Sequence, residues 1–261
     1  MRILFALFLS YYCLFAQVKN VSVVYDVSYG IFGKMGEAKT KVTTHKDRYS
    51  INVKAYATGV AKYMSGNLVE TYESKGVVLS NKFIPEVFTK VTKKDDKIKT
   101  KKYTFDYKNK VIKLVTTTKE KTYTNNIDLN NLHKEREFEW KTSKKLETVK
   151  YWADEDILSL FFNISNYVVD YDKSSVQSIQ TIGAGKSNNG KVDIIVPQGE
   201  DRKEIEDILD QKSKILIVKI YKDIFMSKSG ELYIALNDNG ICSTSVLKDV
   251  LFFGDVVGKI R

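Results

Sequence analysis

Apolar and polar side chains alternate with a period of two through most of this chain, and that alternation restricts it to β structure. In Tyr49-Ser50-Ile51-Asn52-Val53-Lys54-Ala55-Tyr56-Ala57 the odd positions are apolar and several even ones polar, the mark of a strand with one buried face. Tyr103-Thr104-Phe105-Asp106-Tyr107 repeats the pattern, Lys108-Asn109-Lys110 turns the chain, and Val111 to Val115 returns it. This predicts a hairpin with aromatic side chains on one face. Further strands are expected at 21–29, 37–44, 69–79, 86–92, 121–125, 191–196, 215–225, 231–237 and 243–252. Turn-forming clusters such as Ser80-Asn81, Ser187-Asn188-Asn189-Gly190 and Asp238-Asn239-Gly240 separate them. Many short strands in series indicate an all-β antiparallel open barrel or sandwich rather than βαβ units.

Two segments interrupt the alternation. Asp154-Glu155-Asp156 precedes Ile157, Leu158, Leu160, Phe161, Phe162 and Ile164, which reads as an N-capped helix with acids at the positive end of its dipole. Residues 200–209 place Ile205, Ile208 and Leu209 on one face of a short charged helix. The expected architecture is therefore one β-rich domain with one or two short helices.

The N-terminus carries an address. Arg2 is followed by an apolar run from Ile3 to Phe15 and then by Ala16, which is the pattern of a secretory signal peptide cleaved after Ala16. The 13 residues of that run fall short of the roughly 20 that span a bilayer. The expected organisation is a signal peptide at 1–16 and a single domain at 17–261, located in the periplasm and not integral to the membrane after cleavage. Cleavage removes Cys13 and leaves Cys242 alone, so no intramolecular disulfide can form and the exported fold depends on its core. Cys242 reads as a small half-buried side chain rather than a nucleophile.

Catalytic and metal-binding motifs are sparse. Gly183-Ala184-Gly185-Lys186-Ser187 ends like a phosphate loop, but Gln180 stands where the first glycine is required and no helix pattern follows. It reads as a turn. Gly30, Gly33 and Gly36 lack the βα surroundings of a dinucleotide fingerprint and instead predict a bend or bulge. His45 and His133 are the only imidazoles, lie far apart in polar surroundings, and accompany no nucleophile elbow. Asp154, Glu155 and Asp156 lack calcium-loop spacing, so helix capping explains them more simply. No metal, cofactor or catalytic residue is expected. Trp140 and Trp152 flank the central helix, with core packing the default reading for both and a ligand pocket the alternative.

Charge is unevenly distributed. Residues 90–150 hold 18 basic and 9 acidic side chains, an excess equal to the net charge of the chain after residue 16. Lys90, Lys93, Lys94, Lys97, Lys99, Lys101 and Lys102 cluster just before the aromatic strand. Lysine favours diffuse attraction over bidentate recognition, and none of the usual nucleic-acid-binding motifs is present. Anionic lipid headgroups or an envelope polyanion fit better, and a solvated strand edge that discourages sheet association is the competing reading.

Several separated segments resemble the bacterial family of uncharacterised exported proteins called DUF3108. They are Tyr25-Asp26-Val27-Ser28-Tyr29 with Gly36, Tyr72-Glu73-Ser74-Lys75-Gly76 before Phe83-Ile84-Pro85, Thr104-Phe105-Asp106-Tyr107, Asp156-Ile157-Leu158-Ser159-Leu160-Phe161, Gly230-Glu231-Leu232 to Asp238, and Phe253-Gly254-Asp255-Val256. The resemblance implies an envelope-located β-rich domain, similar in style to lipoprotein-carrier half-barrels, with no established activity. The function expected is non-enzymatic binding or carriage of a hydrophobic or anionic envelope ligand such as lipid. Tyr103, Phe105, Tyr107, Trp152, Leu160, Phe161 and Phe162 are the candidate ligand contacts, with the lysine cluster at the mouth. The alternative is an envelope structural or assembly factor that contacts protein partners through an exposed apolar patch. A hydrolase with an unfamiliar site ranks below both.

Overall fold

A computed structural model describes residues 20–125, 136–184, 187–212, 214–221, 229–250 and 254–261. The expected signal peptide and His133 lie outside the described residues. Fifteen strands follow one another: β1 (Val21–Tyr29), β2 (Gly33–His45), β3 (Arg48–Ala57), β4 (Val69–Leu79), β5 (Lys82–Lys93), β6 (Lys97–Asp106), β7 (Val111–Asn125), β8 (Arg136–Thr148), β9 (Glu155–Asp156), β10 (Ser175–Ile182), β11 (Lys191–Val196), β12 (Ile215–Ile220), β13 (Glu231–Leu236), β14 (Cys242–Val250) and β15 (Gly254–Ile260). Among the described residues three helices interrupt them: α1 (Gly59–Met64), α2 (Ile157–Asn163), continued by a 3₁₀ turn at Ile164–Tyr167, and α3 (Gly199–Leu209).

All fifteen strands form one sheet, ordered β8-β7-β6-β5-β4-β3-β2-β1-β15-β14-β13-β12-β11-β10-β9. The expected all-β antiparallel class holds, with the sheet open at β8 and β9 rather than closed into a barrel. Consecutive strands pair antiparallel from β1 to β8 and from β10 to β15, and β15 closes against β1. Among the described residues only the two-residue β9 pairs parallel, with Thr181 and Ile182. The strands of each arm thus pair in sequence order, hairpin after hairpin, while the β1–β15 pair brings the two ends of the described chain together.

The ladder registers sort the side chains into two faces. Ile51, Ser74, Phe88 and Tyr103 lie side by side across β3 to β6. In the other half Val192, Val218 and Ile234 share the equivalent face. That face is concave, because α2 sits in its hollow and touches both halves. Leu160 and Ile164, each 1% exposed, pack on Val192, Ile194, Leu216 and Ile234, while Leu158 and Phe162 pack toward Tyr49, Ile51 and Phe83. Fully burying each such aliphatic side chain contributes about 1.5–3 kcal/mol. On the convex face, α3 covers β12 to β14 with Ile205 and Leu209.

Local sequence explains the joints. Gly30 and Gly33, at φ 37° and 66°, admit the 3₁₀ turn between β1 and β2, and the ladder shifts register at Val27/Ser28. This is the predicted bend. Gly76 stands where β4 shifts register against Pro85, so close to β5 that a β-carbon would run into the Ile84 carbonyl oxygen.

Strands 21–29, 69–79 and 191–196 and the second helix form where the alternation places them. The alternation does not announce β8, β10, β15 or α1. In β8 charged residues occupy both faces, and in β10 the apolar Val176, Ile179 and Ile182 fall at a spacing of three, which imitates a helix.

Candidate functional site

A groove of about 890 Å³ runs along the concave face of β5 and β6. Its floor is ordered by the ladder. Phe88 of β5 stands opposite Tyr103 of β6, and Tyr103 opposite Leu114 of β7, which makes one apolar row across three strands. The next row outward is Lys90, Lys101 and Thr116, and the one after is Thr92, Lys99 and Thr118. Successive rows on one face are about 7 Å apart, so the surface changes from aromatic to cationic within a single side-chain spacing. The segment from Glu147 to Tyr151, with Gly183 and Asn189, forms the wall at the apolar end. Lys90 is fixed in place: its ammonium lies 2.7 Å from Glu70 Oε1, donates to the Tyr72 hydroxyl at 2.8 Å, and stands 4.7 Å from the centre of the Tyr72 ring. Lys90 thus already carries a counter-charge, and Lys101 stands opposite it across the ladder.

A second polar cleft of about 690 Å³ lies between Lys82, Tyr107 and Trp152 on one side and Gln177 to Gln180 of β10 on the other. Beneath it is a buried acid cluster. Glu155 and Asp156 are both fully buried. Asp156 caps α2, its carboxylate accepting from the backbone N–H groups of Leu158 at 2.8 Å and Ser159 at 3.0 Å and from the Ser74 hydroxyl at 2.5 Å. Glu155 accepts from the Ser159 hydroxyl at 2.5 Å, the Asn163 amide at 2.9 Å and the Tyr167 hydroxyl at 2.6 Å, and lies 3.1 Å from the Lys82 ammonium. Asn163 also bonds both the N–H and the carbonyl of Phe83. The cluster therefore ties α2 and β9 to β4 and β5 across the hollow. Of the three acids read as helix caps, only Asp156 caps. Glu155 fastens the two halves of the sheet, and exposed Asp154 accepts from the Trp152 indole at 2.8 Å.

Burial, reinforced by the neighbouring Glu155, raises the Asp156 carboxyl from the usual 3.8 to about 7 against the pull of its donors. A carboxyl with a raised folded pKa stabilises the fold at low pH, and that contribution is lost as pH rises from about 4 to about 7. Melting temperatures should accordingly fall between pH 4 and pH 7, and Asp156→Asn, which keeps a capping side chain, should flatten that fall. A decline of the same size in the variant would assign the pH dependence to other groups.

The structure divides the residues singled out from sequence. Tyr103, Lys99 and Lys101 line the first groove, and Tyr107 and Trp152 line the second cleft. Phe105, 7% exposed, is buried beneath Tyr107 and Trp152, at 6.2 Å from each ring centre. Leu160, Phe161 and Phe162 pack into the core instead of facing either groove, because α2 fills the hollow that the open-barrel picture left for a ligand. The lysine run does not form one surface. Alternation sends Lys93 and Lys102 to the convex face and Lys97, Lys99 and Lys101 to the concave one, Lys97 pairs with Glu120 at 3.0 Å, and Lys94 sits in the turn after β5. Nor is the run a sheet edge, since β6 pairs on both sides and β8 forms the edge. Trp140, expected in the core, is 43% exposed on β8. His45 is exposed at the end of β2, and the half-buried Cys242 thiol is pushed up to about 12 by burial. Of the residues that build the two sites, Lys90 belongs to the lysine cluster read from sequence, whereas Phe88, Leu114, Ser74, Lys82, Asn163 and Tyr167 are added by the structure. The Phe88-Lys90-Thr92 face could be read from alternation within β5, whereas the acid cluster joins residues about eighty positions apart and leaves no local signal.

A single curled antiparallel sheet, plugged by a short helix and carrying a groove beside it, defines an open β-sheet domain. A family model described as protein of unknown function DUF3108 matches residues 24–227, and the chain belongs to that family. The matched range ends before β13 to β15, so the resembling segments after residue 227 lie outside it although those strands complete the sheet. No curated protein and no solved structure matches the chain.

Proposed function

We propose that the protein is a non-enzymatic periplasmic binder that holds an amphiphile with an anionic head, such as a lipid, in the concave groove of β5 and β6. The observation that carries this reading is the ordered change from the Phe88–Tyr103–Leu114 row to the Lys90–Lys101 row. An apolar chain lying over Tyr103, the partly exposed member of the first row, sets its head beside the second. The groove volume of about 890 Å³ falls within the range of about 300–1,000 Å³ typical of small-molecule sites. Export through residues 1–16 brings the protein to a compartment where such ligands are plentiful, and the binding chemistry uses no cofactor and no nucleic acid.

Native mass spectrometry of protein purified from the periplasmic fraction tests the reading. The expected spectrum shows a 1:1 adduct in the lipid mass range that disappears after organic extraction, on a chain beginning at Gln17. An adduct-free spectrum that stays empty after incubation with palmitate and phosphatidylglycerol would contradict the binding claim. A cytoplasmic chain that retains residues 1–16 would contradict the location.

A further inference from the structure

The convex face at the β8 end of the sheet presents a second, different chemistry. Strand β7 runs past the end of β6: Glu120 is the last β7 residue paired to β6, whereas Lys121 to Asn125 pair only with β8. The result is a two-stranded ribbon projecting from the sheet, a form that is marginal in water without a third strand or a surface to cover it. On its convex side Tyr123, Phe138 and Trp140 are 53%, 50% and 43% exposed. Tyr123 and Phe138 rings lie 6.2 Å apart, and the Lys121 ammonium stands 4.4 Å from the Phe138 ring centre and 5.5 Å from that of Trp140.

Charge distinguishes the two sides of this region. On the concave side lysines are matched by acids: Lys97 with Glu120 at 3.0 Å, Lys141 with Glu139 at 3.6 Å and Lys145 with Glu147 at 3.0 Å. The convex positions of β6 from Ile98 to Thr104, of β7 from Lys113 to Tyr123 and of β8 from Phe138 to Leu146 hold Lys102, Lys113, Lys119, Lys121 and Lys144 and no acid. Leu146, 71% exposed, adds an apolar side chain to the same face. Aromatic rings that stand on a lysine-rich face, with Asp106 beside Lys113 as the acid at its far end, match the boundary of an anionic bilayer, where rings settle at headgroup level and ammonium groups meet phosphates. We propose that the convex face of β6 to β8 docks on anionic membrane surfaces, with Tyr123, Phe138 and Trp140 entering the headgroup layer. This surface is separate from the concave groove and does not depend on what the groove holds.

Trp140 and Trp152 are the only tryptophans, so Trp152→Phe leaves Trp140 as the sole reporter. With vesicles of phosphatidylglycerol and phosphatidylcholine the expected result is co-sedimentation, a blue shift of Trp140 emission and its quenching by brominated acyl chains. Each of Lys119→Gln and Lys144→Gln should weaken partitioning roughly fivefold. Phe138→Ser/Trp140→Ser, at exposed positions, should leave the circular dichroism unchanged and abolish sedimentation. Should Trp152→Phe fold poorly, the unsubstituted protein and Trp140→Phe supply the same comparison, the shift being lost in the latter. Absence of sedimentation, sedimentation with unchanged Trp140 emission, or equal binding to pure phosphatidylcholine would overturn the proposal. So would polyphosphate shifting Trp140 as the vesicles do, because the face would then serve a soluble polyanion.

Discussion

Replacing Glu155 with alanine should cost the fold about 3–5 kcal/mol, the usual loss when one member of a buried, hydrogen-bonded charge pair is removed. Glu155 is fully buried and gathers the Ser159 hydroxyl, the Asn163 amide, the Tyr167 hydroxyl and the Lys82 ammonium around one carboxylate. Alanine leaves those donors facing a void that water reaches poorly, and each unsatisfied buried group carries its own desolvation cost. The damage is not confined to α2. Asn163 also holds the Phe83 backbone, so β5 and α2 loosen together and the curl of the sheet loses its fastening. Urea unfolding should show a lower midpoint with an unchanged slope, and the melting temperature should fall by roughly 10 °C. Lys82→Met should cost less, because Lys82 is half-exposed and three donors to Glu155 remain. A loss below about 1 kcal/mol for Glu155→Ala would mean that the cluster does not hold the halves together.

Phe88→Ala should be of similar size, about 3–5 kcal/mol, for a different reason. The ring is fully buried, lies 5.9 Å from Tyr103 and 6.5 Å from Tyr72, and is packed so close to Gly183 that a β-carbon there would stand 3.0 Å from it. Phe88 thus joins β5 to the chain just after β10, on the opposite arm of the curl. Alanine removes both the transfer free energy of the ring and the contacts of its neighbours, and the cavity left behind opens into the groove. Phe88→Leu, closer in volume, should cost less than alanine. Urea titration of the two variants gives the comparison, with equal stability of Phe88→Ala and the unsubstituted protein as the contrary result.

The parts of this structure that sequence makes legible are those whose period is local. Val21–Tyr29, Val69–Leu79 and Lys191–Val196 form as strands where the pattern puts them. Strand β8 escapes because neither of its faces is buried: Trp140 and Leu146 are exposed on one, and Lys141 and Lys145 on the other. The groove was half legible. Alternation within β6 shows that Lys99, Lys101 and Tyr103 share a face, but only the register with β5 and β7 adds Phe88, Lys90 and Leu114 to it. The helix Ile157–Asn163 is legible as an element, but its amphipathic pattern is the same whether the hollow holds a ligand or the helix itself, and Leu160, Phe161 and Phe162 pack into the core. Glu155 shows the limit most clearly. Its sequence neighbours suggest a surface cap, and only the return of Ser74, Lys82 and Phe83 to the same point in space reveals a buried fastening.

Competition in the concave groove tests the central claim most directly. A fluorescent anionic fatty-acid analogue should bind the extracted protein saturably at one site, and palmitate should displace it. Lys99→Glu/Lys101→Glu should weaken that binding by at least about tenfold, since two attractive charges become repulsive at the headgroup end. Phe138→Ser/Trp140→Ser, on the opposite face of the sheet, should leave it unchanged. Binding that does not saturate, or that survives the double charge reversal at full strength, would contradict the assignment of the groove as the amphiphile site.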